Sequence, residues 1–455
     1  MLDNLKKYKN IHFIGLGGIG MSALAQILHS QGHIVSGSDR YHSPLLTKLE
    51  QTGIYVMISQ DASNITPKHD LIIYSSAIDE KNPEFEASKN LHKEMLSYPE
   101  AVGLLSQNLK TIAICGTHGK TTTTALAAIA FLQNSCDPNV IVGALIPELG
   151  KSNYRIGKSD WLILEACEYK NAFHNYFPSI AIITNIEPDH LDFFRTAEAY
   201  FKSFTKFLSQ IPENGIIIAN ADDANLEKIL QNLPKSERKI ITYGTSKNAN
   251  FRLEENKIYH QDGKQTILEM TVPGKHNLMN ATAVITLAHT LNLDFHLVKT
   301  HLEKYQGASR RFEIKGQINK TTIIDDYAHH PTEIRTTLAA VKSKFGTNTK
   351  ILCIFQPHQY SRTHQLLQEF ATSFQDATKV IIPNIYEARD TAEDKAKINV
   401  DLLVETINET RPNLAQNGKD LENTLKTAQN ELNNFDVVIT MGAGDINQLS
   451  EKLST

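Results

Sequence analysis

Twice in this chain an apolar stretch runs straight into a glycine turn and out into a helix-forming segment, and that repeated pattern restricts the fold more than any other feature. The first case is "IHFIGLGGIGMSALA" from residue 11, and the second is "TIAICGTHGKTTTTALAAIAFL" from residue 111. Strand, glycine turn and helix in this order open a parallel α/β sheet, with the turn at the carboxyl edge of the strand. About a hundred residues separate the two loops, and 455 residues are too many for one ordinary core. Two to four domains are therefore expected.

Around the first loop, "HIVSGS", "IYVMI" and "DLIIYS" read as further strands, and Met21, Leu24, Ile27 and Leu28 form a helical stripe that Gly32 ends. Gly15, Gly17 and Gly20 fit G-x-G-x-x-G, with Gly18 inside the turn. Without Cβ atoms in the way, backbone N–H groups there can approach a pyrophosphate at a helix N-terminus. Asp39 ends the next strand, where an acid commonly holds a ribose hydroxyl. Alone, this loop fits an NAD-dependent oxidoreductase, but the fingerprint recognises a nucleoside diphosphate rather than nicotinamide.

The second loop, Gly116-Thr117-His118-Gly119-Lys120-Thr121, is two residues shorter than the usual G-x-x-x-x-G-K-[ST]. Its amides can cradle nucleotide phosphates, Lys120 can reach the β/γ oxygens, and the Thr121 hydroxyl can bind Mg²⁺. "DWLILE", "IAIITN", "GIIIAN" and "KIITYG" supply more strands. Glu165 ends one of them, and Asn185, Glu187, Asp189, His190 and Asp192 follow another. Parallel strand ends share one edge, so these groups should lie beside the loop, with room for two Mg²⁺ sites. A hairpin-like stretch and a helical run after Asn277 follow. A third α/β unit starts near Gly316, with "TTIIDDY", "KILCIF", "KVIIPN" and "FDVVITMGAGD" as strands.

The expected fold is thus α/β with three domains. Residues 1–107 form a Rossmann-like domain, 108–315 a central P-loop-type ATPase domain with a mostly parallel sheet, and 316–455 a C-terminal Rossmann-like domain. A length of 455 residues agrees, being too long for one ordinary core. A net charge of -4 argues against a nucleic-acid surface, and no apolar run reaches membrane-spanning length. The N-terminal lysines lead into a strand rather than a secretory signal. Cys115, Cys136, Cys167 and Cys353 show no C-x-x-C spacing, which suits reduced, mostly buried thiols in a cytoplasmic protein.

The combination G-T-H-G-K-T, Glu165, "NIEPDHLD", "GKHNLMNA", "RRFE" and "DDYAHHP" resembles the Mur ligases, the ATP-dependent amide-forming enzymes of peptidoglycan synthesis. The likeness runs from about residue 11 to 446 and makes the compressed loop a family form. "GLGGIGMSALA", "SGSD", "FQPHQYSRT" and "GAGDI" look most like the member that charges UDP-N-acetylmuramate with L-alanine. The resemblance implies that the first domain holds the UDP-sugar through Gly15, Gly17, Gly18, Gly20, Asp39 and Ser76. It implies that ATP is held by Gly116 to Thr122, Asn277, Asn280 and Arg311, with the central and C-terminal domains closing over it.

The implied reaction transfers the γ-phosphoryl of ATP to the lactyl carboxylate, and the alanine amine then attacks the acyl phosphate. Lys120, Glu165, His190, Arg310, Asp325 and His329 are the implied catalytic groups, with the metal on Thr121, Glu165 and His190. L-Alanine would meet His329, His330 and Arg362, a guanidinium suited to a carboxylate. One familiar version of the pattern has a second arginine where this chain has Gln359, and an acidic run where it reads "EACEYKNAFH". Roles for Glu168, Lys170 and His174 stay open. The expected partners are UDP-N-acetylmuramate, L-alanine and ATP, with no nucleic acid or membrane span, in a monomer or homodimer. Rival readings are a ligase of the same family that recycles a ready-made tripeptide, the NAD-dependent oxidoreductase, and a nucleotide-binding regulatory module.

Overall fold

In the computed structural model, which describes residues 3–454, the strand Asn10–Ile14 lies at the middle of a five-stranded parallel sheet. The order is Tyr55–Met57, Ile34–Ser38, Asn10–Ile14, Leu71–Tyr74, Glu94–Ser97. The chain builds outward to one side of this strand and then to the other, so its carboxyl end is the switch point where open sheets bind ligands. Gly15 starts there with φ 84°, a conformation that disfavours any Cβ. The helix Ile19–Ser30 then buries Met21, Leu24, Ile27 and Leu28 against the sheet.

The second sheet has ten strands. Lys110–Cys115 is flanked in parallel by Ile180–Ile183 and Trp161–Glu165, with Cys115 opposite Ile183 and Ile114 opposite Glu165. That register brings the phosphate-loop strand and the Glu165 strand to a common edge. Ile216–Asn220, Lys239–Gly244 and Phe251–Glu254 extend the parallel part, and Lys257–His260 and Gln265–Ile267 finish that side with antiparallel pairings. On the other side Asn139–Ile146 pairs with the Glu165 strand, and Ser152–Arg155 forms the opposite edge.

The third sheet runs Glu313–Ile318, Thr321–Asp326, Val437–Met441, Ile351–Phe355, Lys379–Ile382, Ala415–Asn417. Only the first pairing is antiparallel. Its inner strands, Thr321–Asp326, Val437–Met441, Ile351–Phe355 and Lys379–Ile382, are buried on both faces, as parallel sheets require. Ile324, Cys353, Phe355 and Ile439 join one core, while Ile323, Leu352, Ile354 and Val438 join the other. Three α/β domains with mostly parallel sheets are therefore present.

By packing, the chain divides into two compact units. One comprises the chain through Asp189 with Ala197–Ile267 and Asn280–Leu302. The other comprises His190–Thr196, Leu268–Met279 and the chain from Glu303. Among the described residues no helix is long and apolar enough to cross a membrane.

Candidate active site

Within the first unit, the compressed loop is shaped by two glycines in conformations that disfavour any Cβ. Gly116 has φ 131°, and a Cβ on it would fall 2.1 Å from Thr184 Oγ1. Gly119 has φ 81°, and its Cβ would fall 2.6 Å from Asn280 Oδ1. The loop is pinned from the neighbouring strand end. Thr117 N donates to the Asn185 carbonyl and His118 N to Asn185 Oδ1, both at 2.9 Å. Thr184 Oγ1 donates to the His118 carbonyl at 2.6 Å, and His118 Nε2 meets Glu187 Oε2 at 2.9 Å. A short loop tied at this many points needs no longer glycine run.

The helix Lys120–Gln133 starts at the loop and buries Thr121 and Thr122. Lys120 folds back: Nζ donates to the carbonyls of Gly116 and Thr117 and lies 3.0 Å from Glu168 Oε2. Burial alone would lower the Lys120 pKa, but the Glu168 charge, with Cys167 and Glu165 adding to it, outweighs burial and raises it. Lys120 is thus a fixed cation. Thr121 Oγ1 donates to Glu165 Oε1 at 2.9 Å, and Gly143 N donates to Glu165 Oε2 at 2.6 Å. A Cβ at Gly143 would lie 2.7 Å from that carboxylate, so this position too calls for glycine.

The first loop is built differently. Gly15 N and Leu16 N both donate to the Ser38 carbonyl, and Gly17 N donates to Asp39 Oδ2 at 2.8 Å. Asp39 Oδ1 also accepts from Arg40 N. Gly18 precedes the helix as its N-cap, and a Cβ at Gly20 would strike the Tyr98 ring at 2.6 Å. Ile19, Gly20, Ser76, Tyr98, Gly143 and Glu165 line a cleft of about 250 Å³. This cleft runs from the first loop to the carboxylate beside the second. Cys167 also lines it and is exposed, which corrects the expectation of mostly buried thiols; Cys115 and Cys353 are buried.

The three residues whose roles the sequence left open now have places. Glu168 is the buried partner of Lys120. Lys170 Nζ donates to the Ser76 carbonyl at 3.0 Å, holding the cleft wall, while Lys170 and Asn171 sit at φ 51° and 58°. His174 meets the Ser203 carbonyl at 2.9 Å and stacks on Phe173, and burial lowers its pKa.

The second unit holds the remaining candidates. His190 N-caps the short helix Leu191–Phe194 in a left-handed conformation, φ 55°. Asn277 Nδ2 donates to the Pro273 carbonyl at 2.7 Å. Arg310 Nε donates to Asp325 Oδ2 at 3.1 Å, and its other nitrogens donate to the Gly442 and Gly444 carbonyls. Arg310 and Arg311 both lie over the Tyr327 ring, at 5.1 and 5.0 Å. Burial raises the Asp325 carboxyl, and it pushes Asp326 up to about 6 against the Arg311 charge. Asp326 accepts from Phe312 N and Ala328 N, so it shapes the backbone on both sides of the strand.

His329 Nδ1 donates to the Tyr327 carbonyl at 3.0 Å and faces Glu333 Oε2 at 3.3 Å. His330 caps the helix Pro331–Phe345 in a capping box with Glu333. Arg362 is 7% exposed, and its Nη1 lies 3.5 Å from His358 Nδ1. Gln359 is buried at φ 74°, with Nε2 donating to the Ala388 carbonyl at 3.0 Å. The amide thus holds a neighbouring loop.

Three family models match in series. The Mur ligase family catalytic domain covers residues 10–109, the Mur ligase middle domain 114–288, and the Mur ligase glutamate ligase domain 310–444. The UDP-N-acetylmuramate–L-alanine ligase of Clostridium kluyveri is 40% identical over 455 residues, covering 98% of each chain. That of Agathobacter rectalis is 42% identical over 459 residues, covering 98% of this chain and 97% of its own. The chain belongs to the Mur ligase family. Among solved structures, UDP-N-acetylmuramate-alanine ligase from Thermotoga maritima matches with TM-score 0.79 and 28% identity over 97% of both chains. A murein peptide ligase from Psychrobacter arcticus shares the fold, with TM-score 0.74 and 23% identity over 98% of both chains.

In this Mur ligase, sequence reading passed over Gly143, Tyr98 and Tyr200. The Tyr200 hydroxyl lies 2.9 Å from Thr117 Oγ1 and 3.4 Å from Glu168 Oε1, bridging the loop and the lysine's partner. A glycine inside the apolar run "NVIVGALI" was a usable signal, because it marks close backbone approach. Ser97-Tyr98-Pro99-Glu100 was another, since it spells the capping box that fixes Tyr98 at its helix start.

Proposed function

We propose that this chain is an ATP-dependent ligase that joins L-alanine to the lactyl carboxylate of UDP-N-acetylmuramate. The products are UDP-N-acetylmuramoyl-L-alanine, ADP and phosphate, made in the cytoplasm for the cell wall. The observation that carries this reading is the cleft running from the first glycine loop to Glu165, which hydrogen-bonds Thr121 of the second loop. One nucleotide-type cradle holds the acceptor's UDP, through Gly15, Gly17, Gly18, Gly20, Asp39 and Ser76. The other cradle holds ATP, through residues 116–122 with Asn280 abutting the loop. Full-length similarity to two L-alanine ligases supports the choice of substrates.

A phosphate fits the second loop because the loop runs into the N-terminus of the helix Lys120–Gln133, where amide donors and the Lys120 ammonium favour an anion. A divalent cation fits beside it because Thr121 and Glu165 offer the hard oxygens Mg²⁺ prefers. Bound Mg²⁺ would neutralise phosphate charge; Thr121, Glu165 and His190 are the groups assigned to it. The lactyl carboxylate oxygen attacks the γ-phosphorus as the bond to ADP breaks. Lys120 stabilises the charge that shifts onto the β/γ oxygens, and the fixed loop supplies alignment.

The amine of L-alanine then attacks the acyl carbonyl carbon, and phosphate departs. Arg362 is assigned the alanine carboxylate, with His330 beside it. His329 is assigned the amine proton: the Tyr327 carbonyl and Glu333 hold its Nδ1–H, which makes Nε2 the basic nitrogen. Arg310 and Arg311 are assigned to ATP phosphates, Asp325 to holding Arg310, and Asn277 and Asn280 to the nucleotide. The test is phosphate release with UDP-N-acetylmuramate, ATP and each candidate amine in turn. Release dependent on L-alanine is expected. Release with a tripeptide and not with L-alanine would transfer the protein to the recycling activity, and a nicotinamide-dependent absorbance change without phosphate release would overturn both.

A further inference from the structure

At the far side of the ten-stranded sheet, well away from the phosphate loop, His260, Asp262 and His289 converge. His260 ends the strand Lys257–His260, Asp262 sits in the turn that leads to Gln265–Ile267, and His289 lies in the last turn of the helix Lys275–Thr290. One ligand atom from each lies within 4.8 Å of the other two. His289 Nε2 faces Asp262 Oδ2 at 3.6 Å. The strand Lys257–His260 is five places from Lys110–Cys115 in the sheet order, roughly 24 Å at ordinary strand spacing. The cluster is therefore separate from the ATP and UDP-sugar loops.

A bland account would make these side chains ordinary packing, and the rings do pack. His260 and His289 each lie about 5.1 Å from the Phe251 ring, and His260 lies 5.3 Å from Phe295. Packing leaves one fact unexplained. His260 is only 7% exposed, yet its buried Nδ1 makes no hydrogen bond. Its other nitrogen, Nε2, is taken by Thr266 Oγ1 at 3.0 Å. A metal-binding histidine shows the same division: one nitrogen is held by an oxygen that fixes ring and tautomer, and the other is left for the ion.

We propose that His260, Asp262 and His289 form a site for a divalent transition-metal ion of Zn²⁺ type. Two imidazoles and one carboxylate suit Zn²⁺, Co²⁺ or Ni²⁺, and not the all-oxygen preference of Mg²⁺ or Ca²⁺. Around tetrahedral Zn²⁺, bond lengths near 2.0–2.1 Å put ligand atoms about 3.4 Å apart. The His289–Asp262 separation of 3.6 Å is already close to that value. Three protein ligands leave one position for water. Lys264, whose Nζ lies 3.1 Å from Asp262 Oδ2, has to swing away as the ion enters. The bound ion ties the hairpin to the end of the helix that carries Asn280, so it stabilises this edge of the sheet.

The full-length protein, stripped with a chelator and held in excess Mg²⁺, is titrated with Zn²⁺ by calorimetry and with Co²⁺ by visible absorbance. Wild type should bind one equivalent more of each ion than His289→Gln or Asp262→Asn, both changes at partly exposed positions. Thr266→Val, which removes the partner of Nε2, should weaken that equivalent about 10- to 100-fold. The melting temperature should rise with Zn²⁺ in wild type by more than in His289→Gln, because an ion bound only by the folded state stabilises it. Equal stoichiometry and equal melting shifts in wild type and both variants would mean adventitious binding elsewhere and would overturn the site.

Discussion

The two glycine loops share strand, turn and helix, yet they are finished with opposite chemistry. In the first, the Gly17 amide donates to the Asp39 carboxylate, and no lysine stands in the turn. In the second, a buried ammonium is paired with the Glu168 carboxylate, and the hydroxyl of the next residue donates to the Glu165 carboxylate. The first loop can hold a diphosphate in place. On the proposed assignment the second also neutralises charge that moves during a reaction, Lys120 serving the phosphate oxygens and Glu165 the cation. What distinguishes the two loops is the set of side chains around them, not the order of strand, turn and helix.

Lys120→Ala should produce the largest contrast. Turnover should fall by about 10²–10³-fold or more, the usual cost of removing one electrostatic stabiliser, with UDP-sugar affinity nearly unchanged. The same change strands the buried Glu168 carboxylate, so it should also destabilise the fold by about 3–5 kcal/mol. Adding Glu168→Gln should restore the melting temperature without restoring turnover. Recovery of turnover in the double variant would mean that Lys120 serves only as the partner of Glu168.

Glu165→Gln and Thr121→Val should each lower turnover strongly and raise the Mg²⁺ requirement. If the pair acts as a unit, the double variant should be little worse than the poorer single one. A kinetic cycle at graded Mg²⁺ reads this, and fully multiplicative losses would separate the two residues. Arg362→Ala lies outside both loops and should raise the L-alanine requirement roughly ten- to a hundredfold, as loss of a charge-assisted contact does, leaving ATP and UDP-sugar requirements in place. An effect confined to ATP would put Arg362 in the wrong site.

The smallest and most selective effects should come from single methyl groups. Gly20→Ala drives a Cβ into the rigid Tyr98 ring, whereas Gly119→Ala drives one into Asn280 and forces alanine to φ 81°. The left-handed conformation alone costs alanine about 1–2 kcal/mol. The first variant should weaken the UDP-sugar and the second ATP, each by about tenfold, as steady-state titration of each substrate would show.

Much of this architecture was legible because glycine loops and strand ends are local signals. Asn10–Ile14, Lys110–Cys115 and Trp161–Glu165 are apolar runs bounded by turn residues, and Glu165 falls at the end of its run. The strands that escaped notice lack that contrast. Glu94–Ser97 is half exposed and Ala415–Asn417 has three residues with no β-branched side chain. Asn139–Ile146 contains Gly143, which reads as a break until the Glu165 carboxylate is seen to need the space. Glu168 was illegible for another reason. Its partner is 48 positions away, and the turn that aims it passes through left-handed Lys170 and Asn171, which no periodicity reveals. Gln359 is similar: a polar residue in a run of polar residues, whose burial against the Ala388 carbonyl depends on a distant loop.

The claim that the loops divide the work, one holding the UDP-sugar and the other ATP, is tested most directly by crossed calorimetry. UDP-N-acetylmuramate and a non-hydrolysable ATP analogue are titrated separately into Gly20→Ala, Gly119→Ala and wild type, each checked for folding by thermal melts. Gly20→Ala should weaken only the UDP-sugar and Gly119→Ala only the ATP analogue. Weakening of both ligands by either variant in a folded protein, or the reverse assignment, would contradict it.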